Sequence, residues 1–402
     1  MQSSNQQNFF ETDASQAKRL KKDLKSQNQS GNPIQLRSKI NAAILDPAAP
    51  TSCIYAAASS GWVRRVDVDA EDNQSTTSIY SGPKAPLTSL CLGGAGNSIL
   101  FAGCWDRSIW SWDVSTRRPL KNYVGHSDFV KAVTCSQLGD KHILISGGAD
   151  KKIIVWDIST GARLHTLQDT VVAMLAVQDL VVDPAISTKD EVHLVSASSD
   201  PHIRRWKVSL ESAEKIVEAD PDAPGTIRHS ILEHETSVYK LVFDNEGGGD
   251  DGEVDLWTSS ADGTSKCLSR MKGFAAEETL EHGDYVRAVA LVGAEWVVTA
   301  GRDEDLRVWD RASGKMVLEV EGHFDEVTDL VVLEGGKRVV SVSIDGTVRT
   351  WEVDRKGIEE MKKRQDEARE GGGEVKEEEE KKGDMLTAEE EAELAELMGD
   401  DD

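Results

Sequence analysis

Positive charge is in short supply in this sequence. Its 46 Lys and Arg stand against 71 Asp and Glu, a formal net charge of −25 over 402 residues. Phosphate recognition depends on clustered Lys and Arg, so direct binding to nucleic acid or to an anionic membrane is not expected. Cysteine is scarce too. The five, Cys53, Cys91, Cys104, Cys135 and Cys267, are scattered with no CxxC pair. That argues against a disulfide framework and a thiolate zinc site, and it suits a reducing compartment. Long apolar runs are missing: no stretch reaches the roughly 18 residues that would read as a membrane helix. The start, "MQSSNQQNFFETDASQAKRLKK", has no charged-then-apolar leader pattern,. The expected location is intracellular, in the nucleus and/or the cytoplasm, with no membrane contact. The GxSxG, P-loop and HExxH spacings are also missing,. No catalytic residue, metal ion or cofactor is therefore expected.

Composition divides the chain into three. Residues 1–32 are rich in Gln, Asn and Ser, which reads as a disordered polar arm with some helix near 13–26. Residues 33–353 alternate β-branched and aromatic runs with Gly, Asp and Ser turns, which reads as all-β. Residues 354–402 hold 20 acidic and 9 basic side chains, so the tail carries −11 of the net charge.

Aromatics make up only 5% of the chain, yet 10 of them are Trp, and they recur in a frame. "FAGCWDRSIWSWD", "ISGGADKKIIVWD", "SASSDPHIRRWK", "TAGRDEDLRVWD" and "SVSIDGTVRTWE" each place Trp six residues after Asp. The pairs are Asp106/Trp112, Asp150/Trp156, Asp200/Trp206, Asp303/Trp309 and Asp345/Trp351. A His lies upstream in four units: His126, His234, His282 and His323. In the unit of His234, Asp262 follows and Leu268 takes the Trp position. "AAASSGWVRRVD" fits the frame with Ser60 for Asp and Val66 for Trp. That makes seven units, most about 40 residues apart, a period that marks one propeller blade per repeat.

These repeats resemble those of the WD-repeat β-propeller family over roughly residues 33–353. The resemblance implies a seven-bladed propeller whose His, turn Asp, Ser or Thr, and Trp form a buried structural network in each blade. The assignments are His126, Ser146, Asp150 and Trp156 in blade three; His282, Thr299, Asp303 and Trp309 in blade six; and His323, Ser341, Asp345 and Trp351 in blade seven. Such sets recur blade after blade, which argues for structure and against a catalytic triad. After Trp351 only three strands are available to the last blade, and "NPIQLRS" precedes the first. Ile34–Arg37 is expected to supply the missing outer strand and close the ring, removing two sheet edges.

The resemblance also implies a partner-binding face. Two positions per blade look like contact positions: one five residues after the His, the other just before the turn Asp. The first set is Asn41, Thr88, Lys131, Met174, Tyr239, Arg287 and Thr328. The second is Ser59, Trp105, Ala149, Ser199, Ala261, Arg302 and Ile344. Neither contains an acidic residue, whereas Trp105, Lys131, Tyr239, Arg287 and Arg302 are interface-type anchors. The expected ligand is an extended acidic or phosphorylated segment of a protein partner, with Trp105 at the edge; the alternative is an ordinary rim. Trp110 shares a strand face with Trp112 and is expected to pack between blades.

The tail ends "DMLTAEEEAELAELMGDDD". Thr387 and Glu390 make a capping-box pattern, and Leu394, Leu397 and Met398 form a narrow apolar stripe. The expectation is a short amphipathic helix that meets a basic partner; a purely solubilising tail is the alternative. Together these features read as a monomeric, non-enzymatic scaffold or adaptor that holds a peptide or subunit within a multiprotein complex. Two other readings stay open. One is a ubiquitin-ligase substrate receptor, although the Arg or Lys that in that subgroup follows the Trp-Asp pair after one residue is missing from Trp112-Asp113-Val114-Ser115, Trp156-Asp157-Ile158-Ser159 and Trp309-Asp310-Arg311-Ala312. The other is an acidic-tail chaperone for a histone or RNA-particle protein.

Overall fold

The computed structural model describes residues 22–23, 25–70, 76–219, 226–244 and 254–367. The chain divides into two compact units, Met1–Val353 and Asp354–Asp402. Within the second, residues 355–367 form a helix. The first is built from seven four-stranded antiparallel sheets and a separate two-stranded hairpin, Glu218–Ala219 with Ile227–Arg228. The innermost strand of each sheet packs on that of the next, and the last of them, Val327–Val332, meets the first, Ile40–Leu45. The architecture is therefore a closed seven-bladed propeller.

Sheets stacked on both faces must be apolar on both. Cys53–Ala58 in blade one and Ile153–Asp157 in blade three are buried at every position. Side chains from adjoining blades merge into shared cores. Trp112, Trp206 and Trp257 are among the largest fully buried side chains.

One local device repeats in every blade. Each innermost strand opens with an aliphatic residue that is 0% exposed: Ile40, Leu87, Val130, Val177, Val238, Val286 or Val327. The register of the strand pair then shifts by one residue at that point in all seven blades. A β-bulge leaves its extra residue unpaired and re-aims its side chain. The buried aliphatic anchor fixes where the bulge falls, and the residue after it turns toward the central channel.

The last sheet takes its fourth strand from the front of the chain: Ile34 pairs with Val348 and Gln35 with Thr347. The ordered stretch reaches further back than the composition boundary at residue 32. Arg349, 1% exposed, donates to the carbonyls of Asn28 and Ser30. Thr350 N–H donates to the Gly31 carbonyl. Gly31 has φ +72°, and a Cβ there would lie 2.8 Å from the Trp351 ring, so glycine is required,. Lys25 pairs with Glu304 at 2.8 Å. Residues 25–32 thus belong to the folded unit, while residues 1–21 of the polar arm lie outside the described residues.

Candidate functional site: the propeller mouth

In blade three, His126 meets Asp150 through Nδ1 at 2.9 Å and Ser146 Oγ through Nε2 at 2.8 Å. Trp156 Nε1 donates to the same Ser146 oxygen at 2.9 Å. Blade seven repeats this with His323, Asp345, Ser341 and Trp351, at 2.8, 2.7 and 2.8 Å. In blade six the His282 ring uses Nδ1 for Thr299 and Nε2 for Asp303, and Trp309 donates to Thr299. Burial opposes charge on Asp150, Asp303 and Asp345, but their hydrogen bonds from His, first among the opposing causes, hold each carboxyl below the usual range. These chains of bonds fix the loop that precedes each blade against the turn inside it.

That fixation shapes the mouth. In every blade the residue before the turn Asp position donates its N–H to the carbonyl just ahead of the aliphatic anchor. Trp105 donates to Pro86, Arg302 to Tyr285 and Ile344 to Glu326, and Ser59, Ala149, Ser199 and Ala261 do likewise. All seven residues of the second set are therefore equivalent. The bulge residues are Asn41, Thr88, Lys131, Gln178, Tyr239, Arg287 and Thr328. Six of these match the first set. In blade four the position belongs to Gln178; Met174 is 2% exposed and sits in the core between blades three and four.

The seven bulge residues line a cavity of about 610 Å³ together with Trp105, Tyr285, Arg302, Asp179, Lys240, Glu326 and Asp329. Its two sides differ. Thr328 donates to Ile40 O, Asn41 to Leu87 O and Thr88 to Val130 O. On that side each collar residue is tied to the next blade's backbone. On the other side the residues are long and contact one another. Lys131 donates to Gln178 at 2.9 Å, and the Arg287 guanidinium lies 4.2 Å from the centre of the Tyr239 ring. Burial, reinforced by the charge of Arg287, lowers the Lys131 pKa.

Four cationic side chains, Lys131, Lys240, Arg287 and Arg302, share the cavity with three carboxylates, Asp179, Glu326 and Asp329. Arg287 pairs with Glu326 at 3.0 Å and Lys240 with Asp329 at 2.9 Å. Burial opposes the Lys240 charge, yet Asp329 and Asp179 hold its pKa above the usual value. The mouth is thus less basic than its two-position template. Arg302 lies over the Tyr285 ring at 5.0 Å. Trp105 is 49% exposed and stacks on Phe129, with ring centres 5.0 Å apart and planes at 14°.

Comparison with known proteins agrees with this geometry. Residues 314–352 match the family described as WD domain, G-beta repeat. Residues 120–218 match the tRNA methyltransferase TRM82 WD40 domain. An uncharacterized WD repeat-containing protein of Schizosaccharomyces pombe is 29% identical over 406 residues, which cover 100% of both chains. These matches and the seven-bladed ring together support a WD-repeat β-propeller family. Other WD-repeat relatives are longer. Nuclear distribution protein PAC1 of Arthroderma benhamiae is 28% identical over 66% of this chain and 49% of its own length. The WD repeat-containing protein 26 homolog of Arabidopsis thaliana is 24% identical over 74% of this chain and 46% of its own. The chain spans about half the length of these two.

WD-repeat proteins generally act as non-enzymatic scaffolds that bind protein partners. No group of three or more potential metal ligands occurs among the described residues. No helix among them is long and apolar enough to cross a membrane. Phe129, Gln178 and the three mouth carboxylates escaped the sequence reading. Phe129 and Glu326 immediately precede an aliphatic anchor, and Asp179 and Asp329 immediately follow a bulge, so counting from Val130, Val177 and Val327 would have found them. Leu394, Leu397 and Met398 lie outside the described residues.

Proposed function

We propose that this WD-repeat protein is a non-enzymatic adaptor that holds a segment of a protein partner in the propeller mouth. The observation that carries the reading is the two-sided collar. One side is tied into the scaffold by hydrogen bonds to the next blade. The other presents Lys131, Tyr239, Arg287 and Arg302 around an open cavity with the Trp105–Phe129 stack at its rim. Aromatic and Arg side chains are the residue types that dominate binding energy at interfaces. A carboxylate or phosphate on the partner would compete with Glu326 for Arg287, so an acidic or phosphorylated segment suits this side. Co-purification with the Trp105→Ala variant and with the Arg287→Glu/Arg302→Glu variant tests the proposal. Partner recovery at least tenfold lower from folded variants is expected; unchanged recovery would reject the mouth as the binding site. The acidic tail serves in this reading as a second contact for a basic partner, checked by deleting residues 370–402.

The match of residues 120–218 to the TRM82 WD40 domain supports a narrower reading, in which the partner is a tRNA methyltransferase. Co-purification of such an enzyme with the wild-type chain would support it. A partner set lacking one would remove it and leave the adaptor role standing.

A further inference from the structure

We infer that Cys91 and Cys135 are a site of reversible oxidation, at which a hydroperoxide converts two neighbouring thiols into a disulfide that staples blade two to blade three. The two sulfurs lie 3.3 Å apart. They sit on the innermost strands of adjacent blades, Leu87–Gly93 and Val130–Leu138, and those strands pack directly on each other. Bonding at about 2.05 Å asks each sulfur to move by only about 0.6 Å. Gly93 makes the approach possible: a Cβ there would stand 2.5 Å from Cys135 Sγ. The pair differs from the remaining thiols. Cys53, Cys104 and Cys267 are buried, whereas Cys91 and Cys135 are both partly exposed.

The chemistry balances with a hydroperoxide as the oxidant. One thiolate attacks the peroxide O–O bond, which gives a sulfenic acid and releases water or the corresponding alcohol. The second sulfur then attacks the first and expels the sulfenic oxygen as water, so two thiols lose two hydrogens and one peroxide is reduced. Only the thiolate is nucleophilic in the first step. Burial, together with the neighbouring Cys135, pushes the Cys91 thiol up, which disfavours its thiolate. A dithiol reductant reverses the reaction by thiol–disulfide exchange.

The resulting loop, residues 91 to 135, contains the other strands of blade two and both members of the Trp105–Phe129 stack. Cross-linking two blades restricts the unfolded chain and stabilises the native ring. The test uses the full chain, reduced, freed of reductant and exposed to hydrogen peroxide. Two of the five thiols should become resistant to alkylation in denaturant. The mass should fall by two hydrogens, a peptide linking Cys91 to Cys135 should appear, and the thermal midpoint should rise; dithiothreitol should reverse all four changes. The Cys91→Ser and Cys135→Ser variants should show no peroxide-dependent rise. Retention of all five thiols, oxygen addition without a cross-link, a different pairing, or a lower midpoint in the 91–135-linked form would each overturn the inference. The wild-type peptide map decides the pairing even where a serine variant folds poorly.

Discussion

Blades three and four solve the same problem with different chemistry. In blade three an imidazole joins the turn carboxylate to the Ser that accepts from Trp: His126, Asp150, Ser146 and Trp156. Blade four has no such His. Its Trp206 still donates to a Ser, Ser196, at 2.9 Å, and its turn Asp200 still accepts a loop N–H, from Leu175, at 2.9 Å. The link between loop and blade is Arg204, fully buried. It donates to Asp200 at 2.9 Å and to Asp169 at 3.0 Å, and Lys215 supports Asp169 at 2.8 Å. Blade two offers a third solution: Trp110 Nε1 donates to the turn Asp106 at 2.8 Å, and Trp112 turns its N–H to the Ser81 carbonyl. What stays constant across these three blades is a satisfied turn carboxylate and a satisfied indole at the Trp position. The histidine is one way to arrange both, as the need to pair buried polar groups requires.

The sharpest break in this comparison is Arg204→Leu. Removing Arg204 leaves Asp200 without its cationic partner and Asp169 with Lys215 alone, at a cost of about 3–5 kcal/mol. Denaturant unfolding should show that loss, and Arg204→Lys, which keeps charge without the planar fork, should recover only part of it. A loss below that of the His126 substitution would mean the guanidinium is not the structural counterpart of the imidazole. His126→Ala comes next, at about 1–3 kcal/mol, because Asp150 and Ser146 each lose a buried partner. This variant also carries a pH signature. Folding depresses the Asp150 pKa, burial opposing and the His126 hydrogen bond leading the favourable causes. Stability from that group is present above the ordinary carboxylate range near 3.9 and is lost as pH falls through the lower folded value. The gap between wild type and His126→Ala should therefore narrow under acid in equilibrium unfolding curves. Trp110→Phe should have the smallest effect, about 1 kcal/mol or less, since the indole is only half-buried and phenyl keeps the stacking on Trp112,. A larger loss than that of Arg204→Leu would make blade two, not blade four, the more dependent on its substitute.

The periodic parts of the molecule were readable because repetition supplies its own alignment. Asp and Trp six residues apart located five turns, and the second contact set, anchored on those turns, is uniform in its backbone bonding. The first set was anchored on His instead. Where the loop before blade four lengthened and the His was gone, the count landed on Met174 rather than Gln178. The substitutes themselves were hard to see. Arg204 lies four residues after Asp200, as Trp110 does after Asp106 and Arg349 after Asp345. Only in three dimensions do these side chains prove to reach a turn Asp, a distant Asp169 or the carbonyls of residues 28 and 30. The mouth carboxylates escaped for a related reason: charge was judged at two positions per blade, whereas Glu326, just before an anchor, pairs with Arg287, and Asp329, just after a bulge, pairs with Lys240.

The pairing of Ile34–Gln35 with Thr347–Val348 also sets an order of events during synthesis. The strand made first waits for a partner more than 300 residues later, which at ribosomal rates of about 5–20 residues per second is a matter of tens of seconds. Until then six complete sheets can stack as an open arc, with an unpaired edge at either end. The final sheet is complete only when Ile34–Gln35 meets Thr347–Val348. A nascent product that stops before Thr347 lacks the strand that pairs with Ile34–Gln35, so the edge of its last sheet stays unpaired,.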